Sequence, residues 1–137
     1  MPAELFVDTS AWYAISADEG SRAAAAQAAL KARVDDGARV VTTNLVLAES
    51  HALLMKRKGR EAALAFVQRI AAAPGVVIEV NTDHEAAAIR DWLMRYRDQD
   101  FSLTDAVSFA VMKERGICEA LTLDRHFRTA GFVVVPG

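Results

Sequence analysis

Five short, uninterrupted apolar runs rich in β-formers divide this chain, and they restrict its fold more than any other feature. They are Leu5-Phe6-Val7, Arg39-Val40-Val41-Thr42, Val76-Val77-Ile78-Glu79-Val80, Ala120-Leu121-Thr122-Leu123 and Phe132-Val133-Val134-Val135. A strand with one face in water alternates apolar and polar residues. Continuous runs suit strands buried on both faces, as in a parallel sheet. Helical patterns fill the gaps. One runs from Ser21 to Asp35 and ends near Gly37. A second runs from Asn44, an N-cap candidate, to Lys58, with Gly59 as its stop. Arg60 to Ala73 ends before Pro74-Gly75, Asp83 to Tyr96 follows, and Ser102 to Arg115 stops at Gly116. Ser102-Leu103-Thr104-Asp105 has the spacing of a capping box, with Asp in the usual place of Glu. Strands alternating with helices imply an α/β domain whose parallel sheet is covered on both faces.

At 137 residues the chain has the length of one domain, 1–137, long enough to build a core without disulfides or a structural metal. Its single cysteine, Cys118, forbids an intrachain disulfide and a four-cysteine zinc site, and suits a reducing cytosol. Cys118 precedes an apolar run and is expected to be buried. No apolar run approaches the ~18–20 residues of a membrane helix, and the N-terminus lacks the basic leader of a signal peptide. A cytoplasmic protein with no membrane association is the expectation. The formal charge of −2 does not mark an obvious nucleic-acid binder.

Fold class alone does not give function, but four acids fall in unusual places. Asp8 directly follows the first apolar run, and Asp124 follows the fourth. In a parallel sheet both positions lie at the carboxyl end, where ligands bind. Either could instead cap a turn or helix, as Asp8 could for a helix through Ala11 to Ile15. Glu49 has Leu45, Val46, Leu53 and Leu54 at helical spacing around it, which places it on an inward face, where a charge needs a partner or a metal. Asp105 opens an otherwise apolar helix, where capping alone would explain it. Brought together, four carboxylates repel one another, and a hard divalent cation such as Mg²⁺ or Mn²⁺ relieves that repulsion. The chemistry of such a site is phosphodiester hydrolysis.

These residues also carry a resemblance. Asp8-Thr9-Ser10-Ala11, Leu47-Ala48-Glu49, Ser102-Leu103-Thr104-Asp105-Ala106 and Leu121-Thr122-Leu123-Asp124-Arg125-His126-Phe127 with Ala130-Gly131-Phe132 resemble, in order and across nearly the whole chain, the acidic motifs of the PIN-domain nucleases. The short form is similar to the VapC-type toxins of bacterial toxin–antitoxin pairs. The resemblance implies a PIN-like three-layer α/β/α fold with a central, mostly parallel sheet of four to five strands. It implies a Mg²⁺- or Mn²⁺-dependent endoribonuclease whose metal-binding, catalytic acids are Asp8, Glu49, Asp105 and Asp124. Thr9, Ser10 and Thr104 stand beside those acids, placed to orient them or bound water. It further implies an RNA substrate, a small antitoxin partner and a homodimer.

With the four acids offset by metal, the rest of the chain is slightly positive. Lys56 and Arg57 after the Glu49 helix, and Arg125 and His126 after Asp124, are candidate RNA contacts, set against ordinary helix-end cations. Asp98 and Asp100 read as exposed loop acids that could add an outer contact. Trp12, Tyr13 and Trp92 read as core aromatics, with base stacking as the other use. Two further readings stand beside the nuclease. One is a catalytically weak RNA- or partner-binding module. The other is a phosphoryl-transfer domain with Asp8 as nucleophile, against which Ser10 stands where many such domains carry a second Asp.

Overall fold

Every strand pairing in the sheet is parallel. In the computed structural model, which describes residues 3–137, β1 (Glu4–Val7), β2 (Arg39–Thr43), β3 (Val76–Ile78), β4 (Glu119–Leu121) and β5 (Val133–Val135) lie in the order β3-β2-β1-β4-β5. The helices are α1 (Thr9–Ala17), α2 (Gly20–Asp35), α3 (Asn44–Lys58), α4 (Arg60–Ala72), α5 (Thr82–Ala88), α6 (Leu103–Arg115) and α7 (His126–Thr129). The chain builds outward from β1 to β2 and β3, then returns to place β4 on the other side of β1. β1 and β4 are therefore the pair at which the winding reverses, with Val7 opposite Leu121. Right-handed crossovers send the connections from such a pair to opposite faces, which opens a crevice at the strands' carboxyl ends.

The core explains this arrangement. Leu5, Phe6 and Val7 of β1 are all buried, and α6 buries every residue from Asp105 to Met112. A helix apolar all round must be enclosed. Phe109 of α6 meets Phe127 of α7 edge-on with ring centroids 4.8 Å apart, and Phe127 stacks on Phe6 at 6.2 Å. Each such ring contributes roughly 2–3 kcal/mol by leaving water. Trp12 and Trp92 are buried, as core aromatics should be.

Several boundaries differ from the sequence reading, each for a physical reason. Asn44 is not the N-cap of α3. Thr43 is, its Oγ1 accepting the Val46 N–H at 3.1 Å, while Asn44 Oδ1 accepts the Val80 N–H at 3.0 Å. That bond draws Val80 out of β3, which ends at Ile78. The helix pattern reaching Tyr96 breaks after Ala88 into a π-helical turn, Ile89–Leu93. Gly59 both ends α3 and begins α4 at φ +97°, a left-handed value that glycine adopts without strain. The capping box of α6 forms as its spacing predicts, with the Asp105 N–H donating to Ser102 Oγ at 3.0 Å. Cys118 is exposed rather than buried.

Candidate active site

Asp8 ends β1 against β4. Its backbone N–H donates to Leu121 O at 3.1 Å, and its side chain is only 2% exposed. It occupies the N-cap position of α1, yet its carboxylate makes no capping hydrogen bond there. Instead Oδ2 accepts from two hydroxyls, Ser10 Oγ at 3.1 Å and Thr122 Oγ1 at 3.0 Å. Each hydroxyl is oriented by a backbone donor. The Leu123 N–H donates to Ser10 Oγ and the Asp124 N–H donates to Thr122 Oγ1, both at 2.9 Å. The loops after β1 and β4 are thus stitched together around one carboxylate oxygen. Thr9 is buried too, and its Oγ1 is a buried polar atom with no hydrogen-bond partner among the described residues.

The other two buried or half-buried acids of the crevice come from opposite ends of the α6–β4 segment. Asp105 is fixed by its capping box, Oδ2 accepting the Ser102 N–H at 3.4 Å. Asp124 follows β4, and its Oδ1 accepts the His126 N–H at 2.9 Å, which turns the chain into α7. His126 Nδ1 then lies 3.3 Å from both Asp105 Oδ2 and Asp124 Oδ1. Its ring stands edge-on to Phe101 at 5.3 Å, which fixes its orientation. One ligand atom from each of Asp105, Asp124 and His126 fits within a 4.8 Å span.

Electrostatics distinguish this cluster from a set of ion pairs. Burial, followed by the charge of Asp105, pushes the Asp8 carboxyl from 3.8 up to about 6, against the pull of the Thr122, Thr9 and Ser10 donors. Burial and then the charge of Asp124 raise Asp105 as well, with the Ser102 N–H and His126 opposing. Among the described residues no lysine or arginine lies within 4.0 Å of any of the three carboxylates. Close carboxylates, Asp8 and Asp105 with raised proton affinity and Asp124 sharing an imidazole with Asp105, are suited to a divalent cation. The oxygen-rich donor set fits Mg²⁺ or Mn²⁺.

Glu49 requires a correction. It is exposed on α3 rather than inward-facing, and the residue beside it, Ser50, is 0% exposed. The doublets Leu45-Val46 and Leu53-Leu54 flank positions 49 and 50 equally well, so their spacing does not fix the phase of the helix. Burial cost fixes it: Ser50 satisfies its hydroxyl on Val46 O at 2.7 Å, whereas a buried carboxylate would have needed a charged partner. Neither Glu49 nor Asp8 is part of the close cluster of ligand atoms, but Asp8 feels the charge of Asp105, whereas Glu49 is exposed. Thr104 offers its carbonyl to Ser108 Oγ at 2.9 Å and makes no side-chain hydrogen bond to the acids among the described residues. Lys56, Arg57 and Arg125 are exposed, as are Asp98 and Asp100. His126 and Thr122 are the site residues whose contacts the sequence did not reveal. The Asp-x-His spacing, which lets a side-chain oxygen cap the N–H two residues on, is the one signal that points to His126.

Comparison with known proteins agrees with this geometry. The PIN domain family matches residues 5–133. Over 135 residues the chain is 36% identical to the 23S rRNA-specific endonuclease VapC20 of Mycobacterium tuberculosis, with 96% of this chain and 97% of the relative covered. The crystal structure of that VapC20, a sarcin-ricin loop cleaving toxin, superposes with a TM-score of 0.84 at 37% identity, covering 94% of this chain and 96% of the other. VapBC2 from Rickettsia felis, solved bound to a DNA fragment from their promoter, gives a TM-score of 0.72 at 12% identity, with 96% of each chain covered. FitAcB from Neisseria gonorrhoeae gives 0.61 at 14% identity, with 95% of each covered. These last two share the fold.

Proposed function

Since the chain belongs to the PIN-domain family and resembles its VapC-type members across nearly its whole length, we propose that it is a divalent-metal-dependent endoribonuclease and the toxin half of a toxin–antitoxin pair. The observation that carries this reading is the convergence of Asp8, Asp105 and Asp124 at the reversal point of a parallel sheet, where two of the three have raised proton affinity and no lysine or arginine among the described residues offsets them. Those three acids would hold Mg²⁺ or Mn²⁺, with Glu49 reaching the site from its exposed rim. When bound, the cation supplies charge neutralisation at the phosphodiester and a more acidic water.

The chain's own residues set the geometry. Ser10 and Thr122 lock one Asp8 oxygen in place. The capping box with Ser102 holds Asp105 in one rotamer. His126 Nδ1, 3.3 Å from an oxygen of each, ties Asp105 and Asp124 together in one geometry. Thr9 and Thr104 line the strand and helix ends beside the acids and orient water there. Lys56, Arg57, Arg125 and His126 contact the RNA backbone, which positions the strand without reading its sequence. The chain acts as one domain in the cytoplasm, as a homodimer, and a small antitoxin restrains it. Among the described residues no helix is long and apolar enough to cross a membrane. The name of the M. tuberculosis relative makes ribosomal RNA the first substrate to offer.

The test is cleavage of total RNA and of intact ribosomes by purified protein with Mg²⁺, with Mn²⁺ and with EDTA. Discrete cuts that need metal and vanish in Asp8→Asn and Asp105→Asn are expected. Binding of RNA without any cut, in the presence of metal, would favour the binding module instead. Undiminished cutting by both variants would sink the nuclease assignment to these carboxylates.

A further inference from the structure

Beside the carboxylates, on the α1 and α3 side of the crevice, lies a cavity of about 340 Å³ that the acid cluster does not account for. Ser10 and Leu123 form its inner wall, and Ser10 Oγ is one hydrogen bond of 3.1 Å from Asp8 Oδ2. The outer wall is made by Tyr13, Arg22 and Arg57. Arg57 lies over the Tyr13 ring, with its guanidinium carbon 5.4 Å from the ring centroid. That contact holds a flat cation at the mouth of the cavity. Arg22 comes from α2 and spends one N–H on Leu123 O at 3.4 Å, which draws it towards the loop that carries Asp124. The one acid of the lining, Glu19, is ion-paired with Lys58. Two arginines, an aromatic ring and a neutralised acid thus surround a space of nucleotide size that shares a wall with the site.

The geometry points to this cavity as a substrate subsite that holds the nucleotide next to the scissile phosphate in single-stranded RNA. Arg22 and Arg57 take the flanking phosphate, since arginine meets phosphate with paired N–H donors. The Arg57–Tyr13 stack offers a flat surface to the base, a contact that tolerates any base because each has a π-face. This places two residues, Tyr13 and Arg22, in substrate binding and gives Arg57 a specific position. It deepens the ribonuclease reading and rests on it for the identity of the ligand.

The test is binding of a short fluorescent single-stranded RNA of mixed sequence, followed by anisotropy in EDTA, so that cleavage plays no part. Arg22→Ala and Arg57→Ala should each weaken binding about tenfold, and each should lower the salt slope by about 0.7, the value for one lost phosphate contact on a single strand. Arg57→Lys should restore the salt slope and recover only part of the affinity, because the stacked plane is lost. Tyr13→Leu, checked for folding by its thermal melt, should weaken binding without changing the slope. Lys31→Ala removes one charge from an ion-paired site elsewhere on α2 and should change neither. In Mg²⁺ or Mn²⁺ the arginine variants should raise KM and leave kcat near wild type. Binding and salt slopes equal to wild type in both arginine variants, or equal losses in Lys31→Ala, would overturn the subsite, even in a protein that cleaves RNA. A wild type that binds RNA through these arginines but cuts nothing would leave the subsite standing and remove the ribonuclease reading.

Discussion

Glu4 and Asp8 lie at opposite ends of β1, and the sheet treats the two carboxylates in opposite ways. At the amino end Glu4 is clamped by Arg115 at 2.8 Å and by Arg39 at 3.1 Å. The hydrogen bond from Arg115 leads the causes that hold its carboxyl below the ordinary value of 4.5. Nearby Glu119, opening β4, is paired with Arg33 at 3.0 Å. At the carboxyl end Asp8 is more deeply buried, has no arginine partner among the described residues, and is pushed up to about 6. One end has its counter-charges built into the chain. The other has acids that fold together against their mutual repulsion. The first arrangement is complete in itself, and under the proposed function the second is completed by a cation from outside. The difference separates a stabilising acid from a working one better than burial or position in the sequence does.

The comparison can be broken most decisively at Asp105. Asp105→Asn should lower metal-dependent RNA cleavage by about a thousandfold or more, while Glu4→Gln should leave the rate within about twofold of wild type. Equal losses would show that the two ends do not differ in kind. A second test is pH. Between 3.8 and about 6 the folded protein holds the Asp8 proton more tightly than the unfolded chain does. Its contribution is therefore fully present below that window and is lost as pH rises through it, on the order of 3 kcal/mol. Glu4 runs the other way: its contribution is present above its ordinary value and is lost as pH falls. Urea unfolding in EDTA should show the Asp8 loss as a difference between wild type and Asp8→Asn, and Mn²⁺ should restore wild-type stability above pH 6.

Glu49 sharpens the contrast at a smaller scale. Because it is exposed, Glu49→Gln should cost cleavage about 10–50-fold, less than any buried acid, with no change in thermal stability. The smallest effect belongs to the clamp. Glu4→Gln should lower stability by about 1 kcal/mol or less, since partly exposed ion pairs contribute little, and that loss should shrink in high salt.

How far the sequence reaches follows from the same residues. Asp8 and Asp124 are legible because each ends an apolar run, and a parallel sheet puts such ends together. Asp105 is legible from its capping spacing. The strands and most helices follow from uninterrupted apolar runs and glycine stops. Glu49 is misread because two leucine-containing doublets straddle two adjacent positions, and only the relative cost of burying Glu or Ser chooses between them. His126 is legible as a residue beside Asp124, but its contact with Asp105, and that of Thr122 with Asp8, escape because they are tertiary. α7 has four residues, too few to show a period, and His126 reaches Asp105 across 21 positions. The Arg22–Leu123 contact, across 101 positions, is equally silent in the sequence.

The stitch between Ser10, Thr122 and Asp8 has a consequence in time as well as in space. It joins residues up to 114 positions apart, and β5, which begins at Val133, is needed to flank the strand that carries Thr122. A chain growing from its N-terminus on a ribosome holds Asp8 and Ser10 long before it holds Thr122 or the carboxylate of Asp124. The crevice can close only after β4 and β5 have emerged. A site built this way cannot assemble piecemeal: its acids meet only once both halves of the sheet are present.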